Sequence, residues 1–130
     1  MDPSLGFEAP ELCLALNQAP ADALDALPYG VIGFDHQGAI ARYNAYESRC
    51  AQFSPADVLG QDVFVELAPC LNNYLVAGRF DEAQSAGVSL DQTLPYVLTF
   101  RMKPTRVTLR LLAQPGQALR FVLVVRQNTP

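Results

Sequence analysis

The chain of 130 residues has one histidine, three cysteines and only 17% charged side chains, and each shortage closes off a class of function. Cysteine-based hydrolysis needs a thiolate beside a base. The one imidazole, His36, falls in the turn-like stretch "HQGA", where it reads as a solvated turn residue. Cys13, Cys50 and Cys70 are odd in number and widely spaced. They supply neither a disulfide framework nor the closely spaced donors of a zinc site. There is no phosphate-cradling GxxxxGK[ST], no GxGxxG after a strand and no GxSxG, so a conventional enzyme is not expected. The opening "MDPSLGFEAPELCLALNQ" has no basic leader region, and Pro10, Glu11 and Asn17 interrupt its apolar residues. It reads as neither a signal peptide nor a membrane span, and the expected compartment is the cytoplasm.

Charge of one sign is missing from each end. No basic residue precedes Arg42 and no acidic residue follows Asp91, so all thirteen carboxylates lie within residues 1–91. Residues 92–130 carry Arg101, Lys103, Arg106, Arg110, Arg120 and Arg126. Such asymmetry can mark a nucleic-acid surface. In a chain of net charge -4 it fits better two parts of one molecule that attract each other, and no nucleic-acid partner is expected.

What is present is half hydrophobic, ample for one core in a domain of ordinary size. Residues 1–27 mix leucines with acids and prolines, which suits short amphipathic helices lying on something else. From Tyr29 the pattern turns to strands, with a hairpin expected at 29–35 and 39–43 around Gly38. "SPADVLG" has Ser54 placed as an N-cap, Pro55 at the first helical position and Gly60 as a stop. "NNYLVAGRFDEAQSAG" reads as the longest helix and ends at Gly87. Strands are expected at about 93–103, 105–113 and 119–126. In the first two, Leu98, Phe100 and Met102 oppose Thr99, Arg101 and Lys103, and Val107, Leu109 and Leu111 oppose Arg106, Thr108 and Arg110. "LRFVLVVR" is apolar on both sides, so something covers the outer face of the sheet. The N-terminal segment is the expected cover, its carboxylates meeting the outward arginines. Two strands, helices, then three antiparallel strands is the element order of a PAS domain. The expectation is an α+β fold with a five-stranded sheet, helices on one face and a cap of residues 1–27 on the other face of a core of residues 28–130.

Two local groups carry chemistry. In "YNAYESRC", Tyr43 and Glu47 are four apart and share one side of a helix, if the chain turns helical after the strand. A phenol and a carboxyl held together can receive one oxyanion, the carboxyl donating only if protonated. On spacing alone the simpler reading is a strand end and a solvated glutamate. In "ELAPCLNN", composition favours Cys70 as a small packed thiol. Pro69 disfavours helix at Ala68, which puts Cys70 on an irregular loop or at a helix start with its N–H able to donate.

Taken together, these residues resemble the photoactive yellow protein family of PAS photoreceptors. The likeness rests on Tyr43, Asn44, Ala45 and Glu47, on "LG-x-D-x-F" and "ELAPC" within 59–70, on "GRF" at 78–80, and on Met102, Pro104, Thr105 and Val107. It implies that Cys70 carries 4-hydroxycinnamic acid (p-coumaric acid) as a thioester. It also implies that Tyr43 and Glu47 bond the phenolic oxygen of this chromophore, and that the Cys70 N–H binds the thioester carbonyl. Phe64, Leu67, Pro69, Leu98, Phe100 and Met102 then bind the chromophore, Met102 assisting its thermal return. Blue light would isomerise the double bond, Glu47 would give its proton to the phenolate, and release of the cap would signal to a separate protein. A monomer or weak homodimer is expected. Ala51 and Phe53 stand where the family often has a threonine beside the tyrosine and an arginine over the pocket. The alternative is a PAS interaction or ligand-sensing module without a chromophore, with Cys70 merely packed.

Overall fold

The computed structural model describes residues 5–99 and 104–126. Five antiparallel strands form one sheet: β1 (Gly30–Phe34), β2 (Ile40–Tyr43), β3 (Leu90–Leu98), β4 (Thr105–Ala113) and β5 (Arg120–Arg126), in spatial order β2-β1-β5-β4-β3. The hairpin expected around Gly38 is there, with Ile32 opposite Tyr43 and Gly33 opposite Arg42. Gly38 supplies φ of 90°, a left-handed turn conformation that other residues adopt only with strain. The strand expected from about 93 begins earlier, at Leu90 opposite Ala113. Residues 100–103, including Phe100, Arg101, Met102 and Lys103, lie outside the described residues.

Side chains alternate across β5. Val122 and Val124 join Ile32, Phe34, Leu109 and Leu111 in the core beneath the helices, while Phe121 and Leu123 join Val31 and Leu112 on the other face. Strand period makes this inevitable once neighbouring strands are paired. The N-terminal segment covers that second face. Its helices α1 (Leu12–Gln18) and α2 (Ala21–Asp25) bury Leu12, Cys13, Leu16 and Leu24 there, together with Leu5 and Leu27.

The ionic part of that expectation is met only in part. Among the described residues Arg110 is the outer-face arginine that meets the cap; it bonds main-chain carbonyls there, Phe7 O at 2.7 Å and Ala9 O at 3.1 Å, and feels the nearby Glu8 charge without a direct ion pair. Its carboxylate partner is Asp91 on β3, held through two bonds of 2.8 Å. Arg120 and Arg126, part of the same basic half, face the helical side. The Arg120 guanidinium lies over the rings of Phe34 and Phe80 and bonds Gln84.

On the helical face, α3 (Ala45–Ala51) follows β2 directly, and α4 (Pro55–Val58) starts at the expected Ser54 cap. The long helix is shorter than its sequence suggests. The carboxamide oxygen of Asn73 takes the N–H groups of Leu75 and Val76, forming a turn that delays α5 to Ala77–Ala86. Gly87 terminates it at φ of 68°.

Candidate functional site

Asn44 sets the geometry at the start of α3. Its side-chain oxygen accepts from Glu47 N and from Val31 N, and its amide donates to Leu24 O and Tyr29 O. One buried carboxamide thus caps the helix, ties it to β1 and anchors the segment leading from the cap. A second acceptor, Asp25 Oδ1, takes the Ala45 N–H at 2.8 Å. The helix starts at Ala45, one residue past the end of β2, and Glu47 lies close enough to Tyr43 for its charge to act on the phenol.

Glu47 is fully buried at 0% exposure, which removes the reading of a solvated helix residue. Its carboxylate makes a bidentate pair with Arg126, Oε1 to Nη1 at 2.7 Å and Oε2 to Nη2 at 3.0 Å. That fork geometry matches an ionised carboxylate. Gly30 makes the seat: a methyl group there would overlap Glu47 Oε1. Burial works against the Arg126 charge, and the bonds to Glu47 outweigh it, holding the guanidinium above its ordinary range.

Tyr43 is buried, and its hydroxyl has no hydrogen-bond partner among the described residues. Burial, and then the Glu47 charge, push its pKa well above the usual tyrosine value, against a smaller opposing pull from Arg126. The residue remains a neutral donor with no acceptor among the described residues. Ala51, buried on α3, brings no hydroxyl to this tyrosine. Phe53 packs against the core, and its carbonyl accepts from Ser48 Oγ. Arg49, also on α3, is exposed.

The segment carrying Cys70 is built by Asp62. Its carboxylate takes the N–H groups of Phe64 and Val65, both at 2.9 Å, while Glu66 reaches back to the Asp62 N–H. This reciprocal cap opens a π-helical turn, Val63–Leu67. Pro69 then starts a 3₁₀ turn, Pro69–Leu71, so Cys70 sits in an irregular stretch at a helix start, as its proline neighbour implied. Tyr96 Oη donates to Cys70 O at 2.6 Å, and Asn73 adds a second bond to the same oxygen. The side chains of Phe64 and Cys70 pack on the buried cluster that holds Tyr43, Leu67 and Leu98. Pro69 is exposed at the edge of this group. Phe100 and Met102 lie outside the described residues.

The three thiols differ. Burial pushes Cys13 up to about 11, leaving little thiolate at neutral pH. Cys50 is exposed on α3, and Cys70 is partly buried against the core. Among the described residues, no group of three histidine, cysteine or acidic side chains could hold a metal ion. No described helix is long and apolar enough to cross a membrane.

Sequence reasoning gave no role in the site to Arg126, Asn44 or Tyr96. Asn44 was open to recognition as an N-cap ahead of a helix; the other two pair across distances in sequence that no local pattern reveals.

No family model matches the chain. Among named proteins it is similar to the photoactive yellow protein of Rhodothalassium salexigens, with 36% identity over 88 residues, covering 68% of this chain and 70% of that one. It also resembles the photoactive yellow protein of Rhodobacter capsulatus, with 32% identity over 114 residues, 85% of this chain and 88% of the relative. Among solved structures it resembles the photoactive yellow protein domain of the sensor histidine kinase Ppr from Rhodospirillum centenum. That match has a TM-score of 0.78 at 34% identity, over 87% of this chain and 98% of that one. The PAS domain of nitrogen regulation protein NR(II) from Vibrio parahaemolyticus, at 14% identity and a TM-score of 0.61, shares the fold over 85% of this chain and 99% of its own. With likeness of this extent in sequence and backbone, the chain belongs to the photoactive yellow protein family, photoreceptors built on the PAS fold.

Proposed function

We propose that this chain is a blue-light sensor that carries p-coumaric acid on Cys70. The observation that carries the reading is the buried hydroxyl of Tyr43, unpartnered among the described residues, in the same core against which Cys70 packs. A buried donor left without an acceptor costs about 1–3 kcal/mol, so the site is better satisfied by a ligand oxygen than by the protein alone. The bound group supplies a double bond that light isomerises and a phenolic oxygen that holds or releases a proton. Cys70 Sγ forms the thioester by displacing the leaving group of an activated acid. The main-chain carbonyl of Cys70 accepts a hydrogen bond from Tyr96. Phe64, Leu67 and Leu98 exclude water along the way to Tyr43. With the group bound, Tyr43 would donate to its phenolic oxygen, and Glu47 would be the residue that gives it a proton.

Release of the N-terminal cap is the proposed output, read by a separate signalling protein, with the chain acting in the cytoplasm as a monomer or weak homodimer. The relative in Ppr is a domain of a sensor histidine kinase, which supports a signalling role. The test is to supply activated p-coumarate and measure mass and absorbance. A mass gain on Cys70, with a band that light bleaches and Cys70→Ala abolishes, supports the proposal. Colourless protein with an unmodified Cys70 refutes it and leaves a chromophore-free PAS module.

A further inference from the structure

Arg110 and Arg120 are the buried arginines among the described residues, and their charges are met differently. Arg110 has the Asp91 carboxylate against it. Arg120, 6% exposed, has no direct carboxylate partner among the described residues; Asp81 and Asp35 act on it only at a distance. Asp35 turns its carboxylate to the N–H groups of Gln37 and Ala39, and Asp81 is exposed. The bonds of Arg120 go instead to neutral oxygens, Gln84 Oε1 at 2.9 Å and Asp35 O at 3.2 Å. Its Nε has no partner among the described residues. The faces of Phe34 and Phe80 offset part of the lost hydration. A buried cation without an anion remains costly. Burial accordingly holds the guanidinium below its ordinary range, by more than the two acids restore.

Arg120 also lines a recess of about 100 Å³, room for about three waters. It lies at the Phe34 end of β1, whereas Glu47 lies at the Gly30 end. Ala83 and Val88, at the end of α5 and just past it, face Ala113 and Pro115, at the end of β4 and the turn that follows. These walls are apolar and held in place by bonds of their own. His36 Nε2 donates to Gln117 O, which ties the β1–β2 hairpin to the β4–β5 turn. The N–H groups of Gly87 and Val88 take the last carbonyls of α5, so the helix end presents no bare acceptors here. Gln84 gives its side-chain oxygen to Arg120 and keeps its amide hydrogens to donate.

We propose that this recess binds a short-chain monocarboxylic acid, its carboxylate against Arg120 and the Gln84 amide and its alkyl chain along Ala83, Val88 and Ala113. One negative charge balances one guanidinium, whereas a dianion such as phosphate leaves buried charge in excess. A planar carboxylate suits the guanidinium fork, and apolar walls with few polar groups suit an alkyl tail. Binding forms no covalent bond. The site shares no residue with the Tyr43–Cys70 group and stands whether or not Cys70 carries a chromophore.

The test is a nuclear magnetic resonance titration of the full isotope-labelled chain with acetate, propionate and butyrate, against sodium chloride at matched ionic strength. The Nε–H resonance of Arg120, assigned through its own backbone, should shift saturably with the acids and not with chloride. Affinity should rise about fourfold for each added methylene until the recess is full. Val88→Phe changes an exposed rim position, leaves Arg120 in place and should weaken butyrate more than acetate. Arg120→Gln should abolish the shifts that butyrate causes at the Gly87 and Ala113 amides; if that variant does not fold, Val88→Phe carries the test alone. No saturable shift with any of the acids overturns the proposal and leaves Arg120 satisfied by water. An equal response to chloride, or a butyrate affinity that Val88→Phe leaves unchanged, overturns it as well.

Discussion

At the scale of single residues, the site is a set of polar groups whose partners differ sharply. Tyr43 buries a hydroxyl with no acceptor among the described residues, whereas Glu47 is doubly bonded to Arg126. The consequences for chromophore-free protein are opposite in sign. Tyr43→Phe should raise its stability by about 1 kcal/mol, because an unsatisfied buried donor disappears, yet weaken the hold on a bound phenol. Thermal melts with and without p-coumarate read both effects; destabilisation of the chromophore-free form would show that the hydroxyl is satisfied after all. Glu47→Gln removes one half of a mostly buried ion pair and should cost about 3 kcal/mol by chemical denaturation. Gly30→Ala should act on the same pair from the opposite side, since its methyl group would occupy the space of Glu47 Oε1. Spacing brought Tyr43 and Glu47 to notice. It carried no sign of Arg126, 79 residues further along the chain.

At the scale of elements, local chemistry was legible where a cap or a turn is self-contained. Ser54 with Pro55, Gly38 in its hairpin and Gly87 after α5 all act through neighbours within a few positions. The late start of α5 was not legible, because "NNYLVAG" has helical spacing and the Asn73 turn competes with it over residues 73–76. Nor was the π-helical turn, which depends on Asp62 and Glu66 capping each other. Asn44 belongs to both classes: its role as a cap is local, but two of its bonds reach Leu24 and Tyr29. Asn44→Ala strands several buried main-chain groups at once and should cost at least about 2 kcal/mol. Amide exchange at Val31 and Glu47 should quicken together; exchange at Glu47 alone would mean that the residue serves only as a helix cap.

At the scale of the whole molecule, the acidic first half and basic last half suggest an ionic latch, and the structure resolves it differently. The cap lies on the sheet through Leu5, Leu12, Leu16, Leu24 and Leu27, with Phe121, Leu123, Val31 and Leu112 beneath. Tyr29 Oη donates to Leu5 O at 2.6 Å, and Asn17 exchanges two bonds with the main chain of Leu119. Screening by salt acts on exposed charge pairs and leaves such an apolar contact nearly untouched. Proteolysis within residues 1–27 should therefore be similar at low and high salt, whereas Leu16→Ala should open the cap, at a cost of about 2–5 kcal/mol. Cleavage that rises steeply with salt would restore the ionic latch.

Acid should loosen the edge of the same interface. The hydrogen bonds from Arg110 hold the Asp91 carboxyl below its usual range, with a smaller opposing effect of burial. A group depressed in the folded state stabilises above its unfolded value, near pH 4, and that stabilisation is lost as pH falls through the folded value. Asp91 is 56% exposed, so the effect is modest and screened. Asp91→Asn should flatten the acid limb of a stability–pH curve, and an unchanged limb would place the sensitivity elsewhere.

The sequence by itself determined the order of elements, the two-sided burial of β5 and the segment able to cover it, because alternation and capping are properties of neighbours along the chain. It also marked Cys70, Tyr43 and Glu47 through motifs carried at fixed spacing. Only the tertiary structure decided that Glu47 meets Arg126, that Tyr43 is left without an acceptor among the described residues, and that Arg110 hydrogen-bonds carbonyls of the cap. Those outcomes depend on strand register and on which side of the sheet each arginine faces. A charge cannot choose its partner until both are fixed.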